Sequence, residues 1–171
     1  VVLVKGGERV CSPPLVARAA LGHLEAYLEN GNPSHRERFS GLSRWLVDTM
    51  EILPGSFGGW PMPEVPRGFR GRHPQGWFSA SAHAECISVL ARAASLLRLD
   101  GALESARRAM GAFYTSIDDG GFLREIGEAG DESGVPSLAF IEEFPVPDAP
   151  HMVLSSHVKA VWAMFDHLHV D

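Results

Sequence analysis

Residues 80–99 read ASAHAECISVLARAASLLRL, a segment without glycine or proline that is apolar nearly all the way round. Its one polar stripe, Glu85, Ser88, Arg92 and Ser95, recurs at helical steps of three and four. Such a helix is surrounded by other helices and is central to the packing. Asp100-Gly101 breaks it, and Leu103, Ala106, Met110, Phe113 and Ile117 mark one face of a fourth helix, which closes a helical hairpin.

The same pattern stands upstream. Pro13-Pro14 stops a short strand at Val1 to Val4 and opens a helix with Ala17, Leu21, Leu24 and Leu28 on one face, ended by Asn30-Gly31. Pro33-Ser34 opens a second helix in which Phe39, Leu42, Leu46, Met50 and Leu53 share a face, and Pro54-Gly55 terminates it. Residues 54 to 76, rich in proline, glycine and arginine, are read as a long loop without regular elements, which in a compact domain signals function or disorder. Downstream, Asp119-Gly120-Gly121 is a turn, Phe122 to Ile126 and Leu138 to Ile141 are short strands joined by the acidic loop Gly127 to Gly134, and Met152 to His169 is the last helix. Its face of Leu154, Val158, Val161, Phe165 and Leu168 has no sixth helix to cover it. An exposed apolar edge is expected there, with self-association or coverage by further chain. The predicted fold class is all-α, a helical-hairpin array with a short β-hairpin before the last helix, in a single domain over residues 1–171.

Composition narrows the function. At 171 residues and 45% hydrophobic the chain can bury a real core. A net charge of −6 argues against nucleic-acid binding, which calls for a basic face. Only Lys5 and Lys159 among fifteen basic residues are lysines, so the positive charge sits on guanidinium groups suited to carboxylates and phosphates. Cys11 and Cys86 are too few and too far apart for a disulfide framework, no two His or Asp residues share a ligand-like spacing, and neither a metal nor a cofactor is expected. The N-terminal apolar run is too short for a signal peptide or a membrane span, and the start on Val1 agrees with a piece of a longer protein, so localisation is left open.

The best catalytic candidates are Glu142 and Glu143, adjacent carboxylates inside the apolar hexapeptide Phe140-Ile141-Glu142-Glu143-Phe144-Pro145. Charges are rarely taken out of water without a partner or a task. The competing reading is a strand that turns one carboxylate to solvent and the other into a structural ion pair. His83, on the side of the third helix carrying Ile87, Leu90 and Leu97, is a second proton-transfer candidate or else a satisfied core histidine. Glu85 belongs to the polar stripe and reads as an ion-pairing partner within it.

Two motifs resemble a known family. Trp77-Phe78-Ser79-Ala80-Ser81-Ala82-His83-Ala84-Glu85-Cys86-Ile87-Ser88-Val89-Leu90-Ala91-Arg92-Ala93 is similar to the start of the D-glucuronyl C5-epimerase C-terminal domain. That family's acidic strand, aromatic-Glu-Glu-Tyr-Pro, then Val-Leu and a helix ending in aromatic-Asp, appears as Ile141 to Pro145, Val153-Leu154 and Phe165-Asp166. The order and spacing agree from roughly Leu15 to Asp166. Here Phe144 stands where the family has tyrosine, His83 and Glu85 where it has glutamines, and Ser155-Ser156 where it has Asn-Gly.

The resemblance implies part of an α/α toroid acting on uronic acid residues of a heparosan-like polysaccharide, an acidic partner. Inverting C5 of a hexuronate needs a base, an acid on the opposite face, and groups that hold the charge developing on the carboxylate. Glu142, Glu143 and His83 are the candidates for proton transfer. Arg67, Arg70 and Arg72, with His73, Phe69 and Trp77, form a basic and aromatic cluster fit for carboxylate contacts and ring stacking, and Glu85 is the remaining substrate-binding candidate. Two other readings stay open: a non-catalytic relative that binds an acidic glycan or a protein, and another α/α-toroid enzyme, a polysaccharide lyase or glycoside hydrolase.

Overall fold

The structure is a computed structural model that describes residues 2–5, 8–53, 55–63, 77–126 and 138–170. Strands β1 (Val2–Lys5) and β2 (Glu8–Cys11) pair antiparallel ahead of helix α1 (Pro13–Asn30). Pro13 and Pro14 occupy the first turn of α1, where the missing N–H groups cost nothing. Gly31 closes that helix in the left-handed conformation at φ 67°, its N–H donating to the carbonyl of Tyr27. Asn32 then caps α2 (Pro33–Asp48), its side chain accepting from Ser34 N.

Helix α2 is shorter than its apolar spacing predicts. The chain leaves the helix at Thr49, and Glu51–Ile52 (β3) pairs antiparallel with Gly58–Gly59 (β4). Met50 and Leu53 keep the helical spacing and pack inward, but from a turn in which Leu53 N donates to Phe57 O at 2.9 Å. The glycine pair therefore sits in a regular element, against the expectation of an irregular loop. A Cβ on Gly59 would run into the side chain of Leu53 and lie 3.1 Å from His83, so only glycine lets this strand approach the core. Trp60 locks it there, its indole N–H donating to the carbonyl of Leu46 at 2.9 Å.

Helix α3 (Ala80–Leu97) is the hub that its sequence predicts, packing against α1, α2, α4 (Ala102–Tyr114) and α5 (Leu154–Leu168). Alanines line these seams, Ala84 and Ala93 on α3, Ala106, Ala109 and Ala112 on α4, Ala160 and Ala163 on α5, and their small side chains let the helices approach closely. Ser79 caps the start of α3 by accepting from Ala82 N, and Arg98 ends it in the left-handed region at φ 51°. Helix α4 ends at Tyr114, before Ile117, which lies in a single 3-10 turn over Ile117–Asp119.

Strands β5 (Leu123–Ile126) and β6 (Leu138–Ile141) make the expected hairpin before α5, with Arg124 opposite Phe140 and Leu123 opposite Ile141. A Cβ at Gly121 would collide with the backbone of Thr115, which explains the Gly-Gly turn leading into it. Helices α3 and α5 run parallel, since Ser81 meets Ser156, Glu85 meets Lys159 and Arg92 meets Asp166 in the same order along both. The face of α5 formed by Leu154, Val158, Val161, Phe165 and Leu168 is exposed. The helical-hairpin order is thus observed, and no described helix is long and apolar enough to cross a membrane.

Ile87 is fully buried at the centre of α3. Ile87→Ala is expected to lower the unfolding free energy by about 3 kcal/mol in a urea titration, through lost burial and the cavity left behind. A loss under about 1 kcal/mol would mean that α3 is not the hub.

Candidate functional site

The adjacent carboxylates that the sequence singles out turn to opposite tasks. Glu142 follows β6 directly, its N–H donating to Phe122 O at 2.9 Å, and its side chain is fully buried. Oε1 accepts from Nε of Arg124 at 2.7 Å, and Oε2 accepts from the backbone N–H groups of His151 and Met152 at 3.2 and 2.9 Å. Nη2 and Nη1 of Arg124 donate to the carbonyls of Val146 and Pro147. One buried ion pair thereby ties the hairpin to the link that leads into α5, and holds Met152 at a positive φ of 49°.

Glu143 points the other way, onto the N-terminus of α3. Its Oε1 accepts from the Ser79 hydroxyl at 2.5 Å, Oε2 accepts from Ser81 N at 2.9 Å, and its carbonyl accepts from Ala80 N at 3.1 Å. Together with the Ser79 cap these bonds satisfy the orphan donors of the first turn, and the positive end of the helix favours an anion there. Alongside runs a row of rings: Trp77 to Phe144 at 5.4 Å, then Phe144 to His151 edge-on at 5.3 Å. Trp77 is buried in this row. Beneath Glu143, the hydroxyls of Ser81 and Ser156 lie 3.4 Å apart.

His83 does not join the carboxylates. It is buried among Trp60, Phe113 and Phe122, with ring centroids 5.4 to 5.5 Å away, and its Nε2–H donates to the Ala109 carbonyl at 2.8 Å. Burial in this aromatic cage pushes its pKa down to about 4, against a smaller opposing effect of the Ala109 bond, so the ring is neutral at physiological pH. The expected pocket position of a helical barrel is instead a core position, because Trp60 after β4, Phe113 of α4 and Phe122 before β5 close over it.

Glu85 pairs not with its own stripe but across helices. Arg18 of α1 contacts it at 2.9 and 3.1 Å, and Nζ of Lys159 of α5 at 2.7 Å. Arg92 turns instead to Asp166, at 2.5 Å, and Ser88 bonds the same carboxylate. Arg67, Arg70, Arg72 and His73 lie outside the described residues, as does Phe69. Among the described residues no three His, Cys, Asp or Glu side chains converge as a metal site would.

Sequence reasoning missed Ser79, Ser81 and Arg124. Ser79 carried a signal, a serine just before an apolar helical run, which is an N-cap pattern. Arg124 carried less, because only the strand register reveals that it reaches Glu142.

Fold and site together define a helical-hairpin protein that presents one carboxylate at the N-terminus of its central helix, beside a row of aromatic rings. The chain belongs to the D-glucuronyl C5-epimerase family: the family model for the D-glucuronyl C5-epimerase C-terminus matches residues 55–169, which take in α3 to α5 and both glutamates. Comparison with curated proteins gives no match.

The state of His83 has a measurable consequence. The unfolded chain takes up a proton on this imidazole near pH 6.5 and the folded chain only near 4, so acidification across that window favours unfolding. The His83 contribution is expected to fall by about 3 kcal/mol between pH 7 and pH 4. His83→Gln, which keeps a donor for Ala109, should lack that part of the pH dependence in parallel urea titrations. Identical pH profiles for the two proteins would contradict the buried neutral assignment.

Proposed function

We propose that this chain is a carbohydrate epimerase-type module acting on glucuronate residues of an acidic polysaccharide, with Glu143 as the base. Family membership supports an epimerase-like function. The observation that carries the assignment to Glu143 rather than Glu142 is the pair of bonds from Ser79 and Ser81, which hold its carboxylate at a helix end, while Glu142 is engaged by Arg124 and two backbone N–H groups. A group so held is preorganised, and the cost of orienting it is met in folding.

In this reading a carboxylate oxygen of Glu143 takes the C5 proton of a bound glucuronate. The C5–H electron pair moves into the bond to the C6 carboxylate, giving an enediolate. Return of a proton to C5 from the opposite face inverts the centre; return from Glu143 restores the starting sugar. Phe144 has no proton to give, so it cannot serve the face that a tyrosine would serve at this position. His83 is sealed in the core. The chain as described therefore favours exchange from one face over inversion.

Phe144 also favours a second reading, a relative that binds the acidic glycan without turnover. Incubation of a glucuronate polymer with the protein in deuterated water distinguishes them. The enzymatic reading predicts deuterium at C5 with configuration retained, and its loss in Glu143→Gln. Absence of deuterium with parent protein, together with unchanged polymer binding by Glu143→Gln, would establish the binding reading instead.

A further inference from the structure

A cleft of about 470 Å³ lies at the far end of α3 from Glu143, within the size range of sites for small ligands. Arg36, Glu37, Ser40 and Arg44 of α2 line it, together with Arg98 and Asp100 of the turn between α3 and α4. Arg36, Ser40 and Arg44 follow one another at steps of four, so they stand on one face of α2. Helix α3 runs 18 residues from its Ser79 cap to Arg98, about 27 Å at 1.5 Å per residue, so the cleft is separate from the carboxylate site.

Three observations point to a ligand there. The guanidinium groups of Arg36, Arg44 and Arg98 have no hydrogen-bond or ion-pair partner among the described residues, whereas Arg18, Arg92, Arg108 and Arg124 each hold a carboxylate. Gathered on one concavity, the three present their donors to whatever enters it. The other two observations are local choices that run against stability. Arg98 stands at the C-cap of α3 in the left-handed conformation, φ 51° and ψ 42°, where glycine is the ordinary residue and a Cβ is strained. Gly41 stands inside α2, where glycine weakens a helix, and no neighbour demands it, since a Cβ there would meet nothing within 4 Å. Arginine thus sits where glycine would be better and glycine where a side chain would be better, both on the wall of one cleft. Local rules broken without a packing gain mark functional positions. Arg98 brings a cation to the cleft, and Gly41 keeps its wall open.

We propose that this cleft binds a small phosphorylated polyol, with the phosphate dianion among Arg36, Arg44 and Arg98 and the hydroxyl groups toward Glu37 and Asp100. Guanidinium groups match the oxygens of a phosphate with paired N–H donors. The two carboxylates on the same wall accept from neutral hydroxyls and repel further negative charge, so a ligand with one compact dianion is favoured over a polyanion. Leu97 and Leu99 supply the apolar part of the lining, against which the carbon skeleton packs. Three cations against two carboxylates leave the cleft net positive in a chain of net charge −6, which draws the phosphate here rather than to the surrounding surface.

The test is calorimetry on the whole chain with glucose 6-phosphate, against glucose and inorganic phosphate as comparisons. Glucose 6-phosphate is expected to bind severalfold more tightly than inorganic phosphate, and glucose is expected not to bind. Arg98→Gly is the decisive variant, because it removes the guanidinium and the backbone strain together. It should melt no lower than the parent yet lose about tenfold in affinity for glucose 6-phosphate, a combination that misfolding does not produce. Gly41→Ala should melt higher than the parent and bind severalfold more weakly, and Arg44→Gln should weaken binding without moving the melting temperature. Glu37→Gln should narrow the gap between glucose 6-phosphate and inorganic phosphate. Unchanged affinity in Arg98→Gly, or binding of glucose as tight as that of glucose 6-phosphate, would overturn the site. Equal affinity for inorganic phosphate and glucose 6-phosphate, or displacement of glucose 6-phosphate by a glucuronate polymer at equal concentration, would overturn the assignment to a phosphorylated polyol.

Discussion

A carboxylate buried beside a guanidinium has few places to go, and the Arg124 and Glu142 pair decides the layout of one end of the molecule. Oε1 of Glu142 is taken by Arg124 and Oε2 by two backbone N–H groups, while Arg124 reaches two carbonyls of the following link. Each of these groups would be costly to leave unpaired in the interior. Hairpin, link and the start of α5 are therefore held as one unit. Because Glu142 is committed inward, its neighbour Glu143 is turned toward α3, where the Ser79 cap and the first-turn N–H groups await an acceptor.

The two glutamates thus divide between a buried ion pair and a place at the end of α3. Glu142 is fully buried, with donors on both of its oxygens. Glu143 is held by a hydroxyl and a backbone N–H, next to a row of rings that begins at Trp77. The parallel run of α3 and α5 continues the polar seam from this carboxylate through Ser81 and Ser156 to the ion pairs around Glu85 and Asp166. Membership of the D-glucuronyl C5-epimerase family gives this seam a chemical context.

Much of this was legible in the sequence, and what was not has identifiable causes. The hub role of α3 follows from an apolar surface too wide for a peripheral helix, and the hairpin order from punctuation at Asn30-Gly31 and Asp100-Gly101. The end of α2 departs from the apolar pattern because Met50 and Leu53 keep the helical spacing after the chain has left the helix at Thr49. The carboxylate pair was visible but its division was not, since Arg124 reaches Glu142 only through the register of β5 on β6. Likewise Glu85 lies far in sequence from both Arg18 and Lys159, so no local spacing announces the cross-helix cluster. The arginines at 67, 70 and 72 remain a reading of sequence alone.

The division between the glutamates is tested most directly by comparing the unfolding free energies of Glu142→Gln and Glu143→Gln in the same urea titration at neutral pH. Glu142→Gln removes the counter-charge of Arg124 in the interior and is expected to cost about 3 kcal/mol. Glu143→Gln keeps one oxygen to accept from Ser81 N, and its amide N–H can donate to the Ser79 hydroxyl, so it is expected to cost less than about 1 kcal/mol. Equal losses, or a larger loss for Glu143→Gln, would contradict the account.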